Sequence, residues 1–112
     1  MRILIAINEN NGNESVLSEH FGHCPYFAIY ETENKKLEIV KNELDHSDKN
    51  MTPVDQTMKF RPDVVFSKGM GQRAISLFNE KDVEISTGDY NTVEEVLDNL
   101  ENLGELDVGC EY

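Results

Sequence analysis

Hydrophobic positions along this chain follow two rhythms, one of strands and one of helices. From Arg2 to Ile7 the run RILIAI is almost continuously apolar, the pattern of a strand covered on both faces. It predicts a central strand. YFAIY (Tyr26–Tyr30) and KLEIV (Lys36–Val40) follow, separated by the polar ETENKK, in which Glu33-Asn34-Lys35 reads as a hairpin turn. These two strands should pair antiparallel. ELDHSDKN (Glu43–Asn50) has no periodicity and reads as an exposed loop, which makes His46 a solvated surface residue with no assigned role.

The second rhythm begins at TPVDQTMKF. Thr52 reads as an N-cap, Pro53 occupies the first helical position, Asp55 lies in the first turn, and Pro62 bars continuation. DVVF (Asp63–Phe66) is then a strand, GQRAISLFNEK (Gly71–Lys81) puts Ala74, Ile75, Leu77 and Phe78 on one helical stripe, and VEI (Val83–Ile85) returns as a strand. Strand, helix and strand in so short a stretch make a βαβ unit with parallel strands. Thr92 and Glu95 form a capping-box pattern, and Val93, Val96, Leu97 and Leu100 fall at i, i+3, i+4 and i+7 of a third helix. The order is βββαβαβα. It predicts an α/β fold on a five-stranded mixed sheet of order 3-2-1-4-5, strand 2 antiparallel, with three helices and a topological switch between strands 1 and 4. One domain over residues 1–103 and a short polar tail over 104–112 account for the chain.

In such sheets ligands bind beyond the carboxyl ends of the strands at the switch. Three loops are expected there: Asn8 to Pro25, SKGMGQR (Ser67–Arg73) and STGDYN (Ser86–Asn91).

Charge narrows what could bind. With 22 acidic against 10 basic residues the formal net charge is -12, which opposes both nucleic acid and anionic membranes as partners. No apolar run nears the roughly 20 residues of a bilayer span, and the apolar start is too short for a secretory signal. The expected location is cytoplasmic. There, the two cysteines, Cys24 and Cys110, are reduced thiols rather than a structural disulfide.

Two of the three histidines and one of the two cysteines fall within SEHFGHCPYF, Ser18 to Phe27. Phe21, Tyr26 and Phe27 read as core and Gly22 as a turn; His20 could cap the loop by hydrogen bonding. For His20, His23 and Cys24 a structural role is less economical, since apolar residues fill a small core at lower cost. Imidazole and thiolate suit zinc, copper or iron clusters. H-x-x-H-C matches no closed zinc framework, and two cysteines are too few for a fully Cys-ligated iron-sulfur cluster. Capture of a preassembled cluster by one or two ligands fits better. In the second loop, Gly69 and Gly71 lead into a helix N-terminus whose unpaired amides, at Gln72 and its neighbours, favour an anion, with Lys68 and Arg73 beside it. The same glycines would equally serve a tight strand-to-helix turn.

SEHFGHCPYF after ILIAI, GMGQRA after DVVFSK, and STGDYNTVEEVL before the last helix resemble the dinitrogenase iron-molybdenum cofactor biosynthesis family, the nitrogenase accessory proteins akin to NifX and to the C-terminal domain of NifB. The likeness runs from about Met1 to Leu100, and S-x-H-F-G is its most specific part. It implies a ribonuclease H-like three-layer fold and a protein that binds or carries iron-molybdenum cofactor or its iron-sulfur precursor. It also implies that His20 is the first cluster ligand, with Cys24 and His23 at positions that vary in the family. Many relatives end in a Cys- and His-rich tail where this chain has only GCEY, which leaves Cys110 a minor candidate.

The expected function is therefore a non-catalytic carrier of an iron-sulfur type cluster. It would work as a monomer or weak homodimer and exchange cargo with a donor or acceptor protein. The alternatives are a scaffold or regulatory interaction protein with no cluster, or a Cys/His zinc-binding or thiol-redox protein in which a histidine activates Cys24. A nuclease is disfavoured, because two-metal hydrolysis needs carboxylates on the central strands and RILIAI has none.

Overall fold

In the computed structural model, which describes residues 1–102 and 104–105, β1 (Arg2–Ile7) is buried from Ile3 onward on both faces. Its alternation divides the core. Leu4 and Ala6 face one side with Cys24, Phe27, Val65, Ile75 and Phe78; Ile3, Ile5 and Ile7 face the other with Ala28, Phe66, Val93 and Val96. Each fully buried Ile or Leu here contributes about 1.5–3 kcal/mol relative to exposure.

β2 (Tyr26–Glu31) pairs antiparallel with β1, and β3 (Lys36–Lys41) antiparallel with β2. The hairpin turns where expected, with Lys35 in the left-handed region (φ 54°) and the Asn34 side chain accepting from Lys36 N at 3.1 Å. On the other side of β1 lie β4 (Val64–Phe66) and β5 (Glu84–Thr87), both parallel, as a βαβ unit requires. The five-stranded order 3-2-1-4-5 with antiparallel strand 2 thus holds. The structure adds a sixth, two-residue strand, β6 (Gly104–Glu105), antiparallel to β5. It begins within the segment read as tail; the rest of that tail, with Cys110, lies outside the described residues.

Three helices complete the layers. α1 (Pro53–Thr57) and α2 (Gln72–Glu80) cover the Leu4 face through Val54, Ile75 and Phe78, while α3 (Val93–Asp98) covers the Ile3 face through Val93 and Val96. α1 has the full capping box between Thr52 and Asp55. α3 has half of one: Thr92 accepts from Glu95 N, but the Glu95 carboxylate reaches back past Thr92 to accept from Asn91 N at 2.9 Å. None of the helices among the described residues is long and apolar enough to cross a membrane.

One consequence of the register bears on the site. Ile7 stands opposite Tyr26, and Tyr26 opposite Lys41, so the end of β3 lies at the same sheet end as the end of β1. The segment from Asn42 to Thr52 therefore joins the loops after β1, β4 and β5. Four loops meet where three were expected.

Candidate functional site

The loop after β1 is fixed from within. Ser18 hangs from β1 through its amide to Ala6 O (2.9 Å), and its hydroxyl spans the next turn, accepting from His20 N and donating to His20 O, both at 3.2 Å. Phe21 then turns inward, its ring 5.5 Å from Phe27 and 5.4 Å from Phe78, while its amide donates to Gly69 O at 3.2 Å. Anchoring Phe21 leaves His20 and His23 on either side of it exposed. Gly22 sits at φ +93°, a conformation that side chains other than glycine's rarely adopt.

The loop after β4 uses the same device. Buried Ser67 donates to Gly69 O (2.6 Å) and accepts from Gly69 N (3.3 Å), shaping the turn into α2. That helix opens on Gly71 with no side-chain cap and no acidic residue in its first turn. Its first amides and the positive end of its dipole are thus left to whatever faces them.

The fourth loop is exposed, as its lack of periodicity predicts, but it is tightly organised. Asp45 accepts from Ser47 N (2.9 Å) and Ser47 Oγ (2.6 Å), and Asp48 from Asn50 N (2.8 Å), two consecutive Asx turns. Those Ser47 donors hold the Asp45 carboxyl below the usual carboxylate range. Gln56 of α1 pins the loop at both ends, accepting from Asp45 N (2.7 Å) and donating to Asp45 O (2.8 Å) and Met51 O (3.1 Å). Asn42 clamps it to the first loop, donating to Gly22 O at 3.0 Å and to Cys24 O at 2.7 Å. The result is His46 lying flat on His23, ring centroids 4.8 Å apart and planes 6° from parallel, with Nε2 3.0 Å from Gly22 O. His46 is exposed, as expected, and it lines a cavity together with His20 and His23. The sequence did carry a signal for this order, the D-x-S and D-x-N pairs of consecutive Asx turns.

These loops enclose a cavity of about 660 Å³ lined by His20, His23 and His46 together with Gly69, Gly71 and Arg73. An adjoining hollow of about 420 Å³ shares His20 and His23 as its wall and takes Lys68. So the two flanking cations diverge, one to each hollow. Neither forms an ion pair among the described residues. Gln72 is exposed on the first turn of α2 and lines neither. Cys24 also lines neither: its side chain is buried in the core on the Leu4 face, and burial pushes its thiol pKa up. That disfavours the thiolate, which is the metal-binding and nucleophilic form. Among the described residues no three His, Cys, Asp or Glu side chains converge to hold a single metal ion.

No curated protein matches the chain. Several solved structures do. A NifB-like protein from Thermotoga, solved by NMR, superposes with a TM-score of 0.81 at 23% identity over 98% of this chain and 97% of that one. The apo form of the orange protein from Desulfovibrio gigas gives 0.76 at 12% identity (94% and 92% covered), and a dinitrogenase-like protein from Methanocaldococcus jannaschii gives 0.67 at 18% (95% and 94%). At these identities the likenesses establish the fold. The family follows from the sequence match itself: the model described as dinitrogenase iron-molybdenum cofactor covers residues 1–103, and the chain belongs to that family.

Proposed function

We propose that the chain is a non-catalytic binding and carrier protein for an anionic iron-sulfur type metallocluster, either iron-molybdenum cofactor or its precursor, or a related cluster with a role outside nitrogenase. The family links the chain to proteins of iron-molybdenum cofactor biosynthesis or carriage. The observation that carries the reading is the cavity of about 660 Å³ that His20 and His23 line together with the uncapped start of α2.

Cluster chemistry fits the two sides of that cavity. Imidazole nitrogens are ligands for iron, and a cluster with several metals needs only one or two protein ligands when it arrives preassembled. Its net negative charge is met by the positive end of the α2 dipole behind Gly71 and by Arg73, with Lys68 adding positive potential from the neighbouring hollow. The volume lies within the roughly 300–1,000 Å³ of small-molecule sites. His20 is the proposed first ligand and His23 the second. Cys24 can join only if the loop from Ser18 to Pro25 lifts off the core, and its raised pKa counts against a thiol enzyme. Exchange with a cluster donor or acceptor protein, in the cytoplasm, belongs to the same reading.

The test is anaerobic titration with iron-molybdenum cofactor or a [4Fe–4S] cluster, followed by absorbance and EPR. The wild type should bind stoichiometrically, His20→Ala should abolish binding, and Cys24→Ala should retain most of it. Equally poor binding by all three would leave the chain a scaffold or interaction protein.

A further inference from the structure

Of the three histidines, only His46 has a ring nitrogen in a hydrogen bond that settles its tautomer. A carbonyl oxygen can only accept, so at 3.0 Å from Gly22 O the His46 Nε2 must carry the proton. In the neutral ring the lone pair then resides on Nδ1. Metal-bound histidines show this arrangement: one nitrogen donates to a backbone carbonyl or carboxylate, which fixes the ring and raises the basicity of the other.

We propose that His46 is a transition-metal ligand through Nδ1, presented to the cavity by the loop between β3 and α1 and held in place by the Gly22 carbonyl and the face of His23.

Three independent features hold that presentation. The loop is fastened at both ends by Gln56, so the backbone at Asp45 and Met51 is set before any metal arrives. The ring lies over Gly22 at ordinary contact distance, 3.6 Å from where a Cβ would stand to His46 Cε1, and the φ of +93° there keeps that position for glycine. Finally, the parallel stack on His23 couples the two rings, so that whatever orders one orders the other. Lining the same cavity as His20 and His23, His46 adds a third imidazole there for a polynuclear cargo.

The cluster part of this inference rests on the carrier reading, whereas metal ligation by His46 does not, and the experiment separates them. The probes are Zn2+ and an anaerobic [4Fe–4S] cluster, added separately to full-length protein labelled with 15N in histidine. Side-chain 1H–15N correlation spectra report the tautomer and each nitrogen. The free protein should show His46 in the Nε2–H form, and Zn2+ should move the His46 Nδ1 resonance. His46→Gln, whose amide can still donate to Gly22 O, should weaken cluster uptake by at least about tenfold. The inference is overturned if His46 is in the Nδ1–H form, if Nδ1 ignores Zn2+, or if the wild type takes up cluster and His46→Gln takes it up equally well. Should Zn2+ move Nδ1 while the wild type takes up no cluster, His46 stands as a metal ligand and the carrier reading falls.

Discussion

Two helix starts in this protein are closed by their own side chains and one is open. At α1 the Thr52 hydroxyl accepts from Asp55 N, and the Asp55 carboxylate accepts from Thr52 N, each at 3.1 Å. At α3 the Thr92 hydroxyl accepts from Glu95 N at 3.3 Å, with Glu94 and Glu95 in the first turn. α2 starts Gly71-Gln72-Arg73, with no capping oxygen and no carboxylate, in a chain that has 22 acidic residues to draw on. Each closed end satisfies otherwise orphaned amides and sets negative charge against the helix dipole. The open end forgoes that stabilisation. Both it and the closed start of α1 line the cavity, through Gly71 and Arg73 and through Thr52 and Pro53, but only at α2 are the first amides left without a side-chain cap. The contrast argues that the positive end of α2 is kept for something brought from outside.

The largest expected effect comes from closing the open end. Gly71 has an ordinary φ of -62°, and a Cβ there would meet nothing within 4 Å, so Gly71→Asp adds a cap and a charge without strain. Fold stability should rise by a few tenths to about 1 kcal/mol. Affinity for an anionic cluster should fall about tenfold, equivalent to about 1.4 kcal/mol. Gly71→Ala, which brings neither oxygen nor charge, is the control and should leave the affinity near that of wild type. If Gly71→Asp binds cluster as well as Gly71→Ala does, the start of α2 is not the anion seat.

Opening a closed end should do the reverse. Thr92→Ala removes the α3 cap on the opposite face of the sheet and should cost about 1 kcal/mol of stability. Chemical denaturation should show a lower midpoint with unchanged slope, and cluster affinity should stay where it was. A matching loss of affinity would mean that binding tracks global stability, and the contrast between the helix ends would lose its functional meaning.

The same division between local and distant causes explains what was legible in the sequence. The strands, the hairpin, the Thr52 N-cap of α1 and the parallel unit announce themselves through neighbours a few residues apart, and the structure has each of them. The glycine turn into α2 was legible for the same reason, and the strand order placed the loop that bears His20 and His23 at the carboxyl ends of the strands. His46 was not, because its place depends on side-chain hydrogen bonds of Gln56 and Asn42, which hydrophobic period does not report. The Cys24 side chain was ambiguous from sequence: its backbone belongs to the site loop, but its thiol packs into the core beside Phe27. Glu95 shows the limit of a motif, since the S/T-x-x-E spacing is present and yet its carboxylate chooses Asn91 N.

The smallest effect tests the closed end of α1 by removing its charge reversibly. The Lys81 ammonium, 2.6 Å from Asp55 Oδ1, and then the Thr52 amide and hydroxyl lower the Asp55 pKa to about 2. Its unfolded value is near 3.8, so the folded state holds this proton less tightly than the unfolded chain does. The resulting stability is fully present above the unfolded pKa and fades as pH falls from about 4 towards about 2. Denaturant midpoints measured across that window should decline in the wild type, and Asp55→Asn should flatten part of the decline while starting lower at neutral pH. The effect is modest because both partners remain about one-third exposed (31% and 32%), where solvent and salt screen the pair. Added salt should shrink the difference between the two proteins. An Asp55→Asn variant with the same slope as wild type would show that the charge at this helix start contributes nothing measurable, leaving the Thr52 hydroxyl alone to distinguish α1 from the uncapped α2.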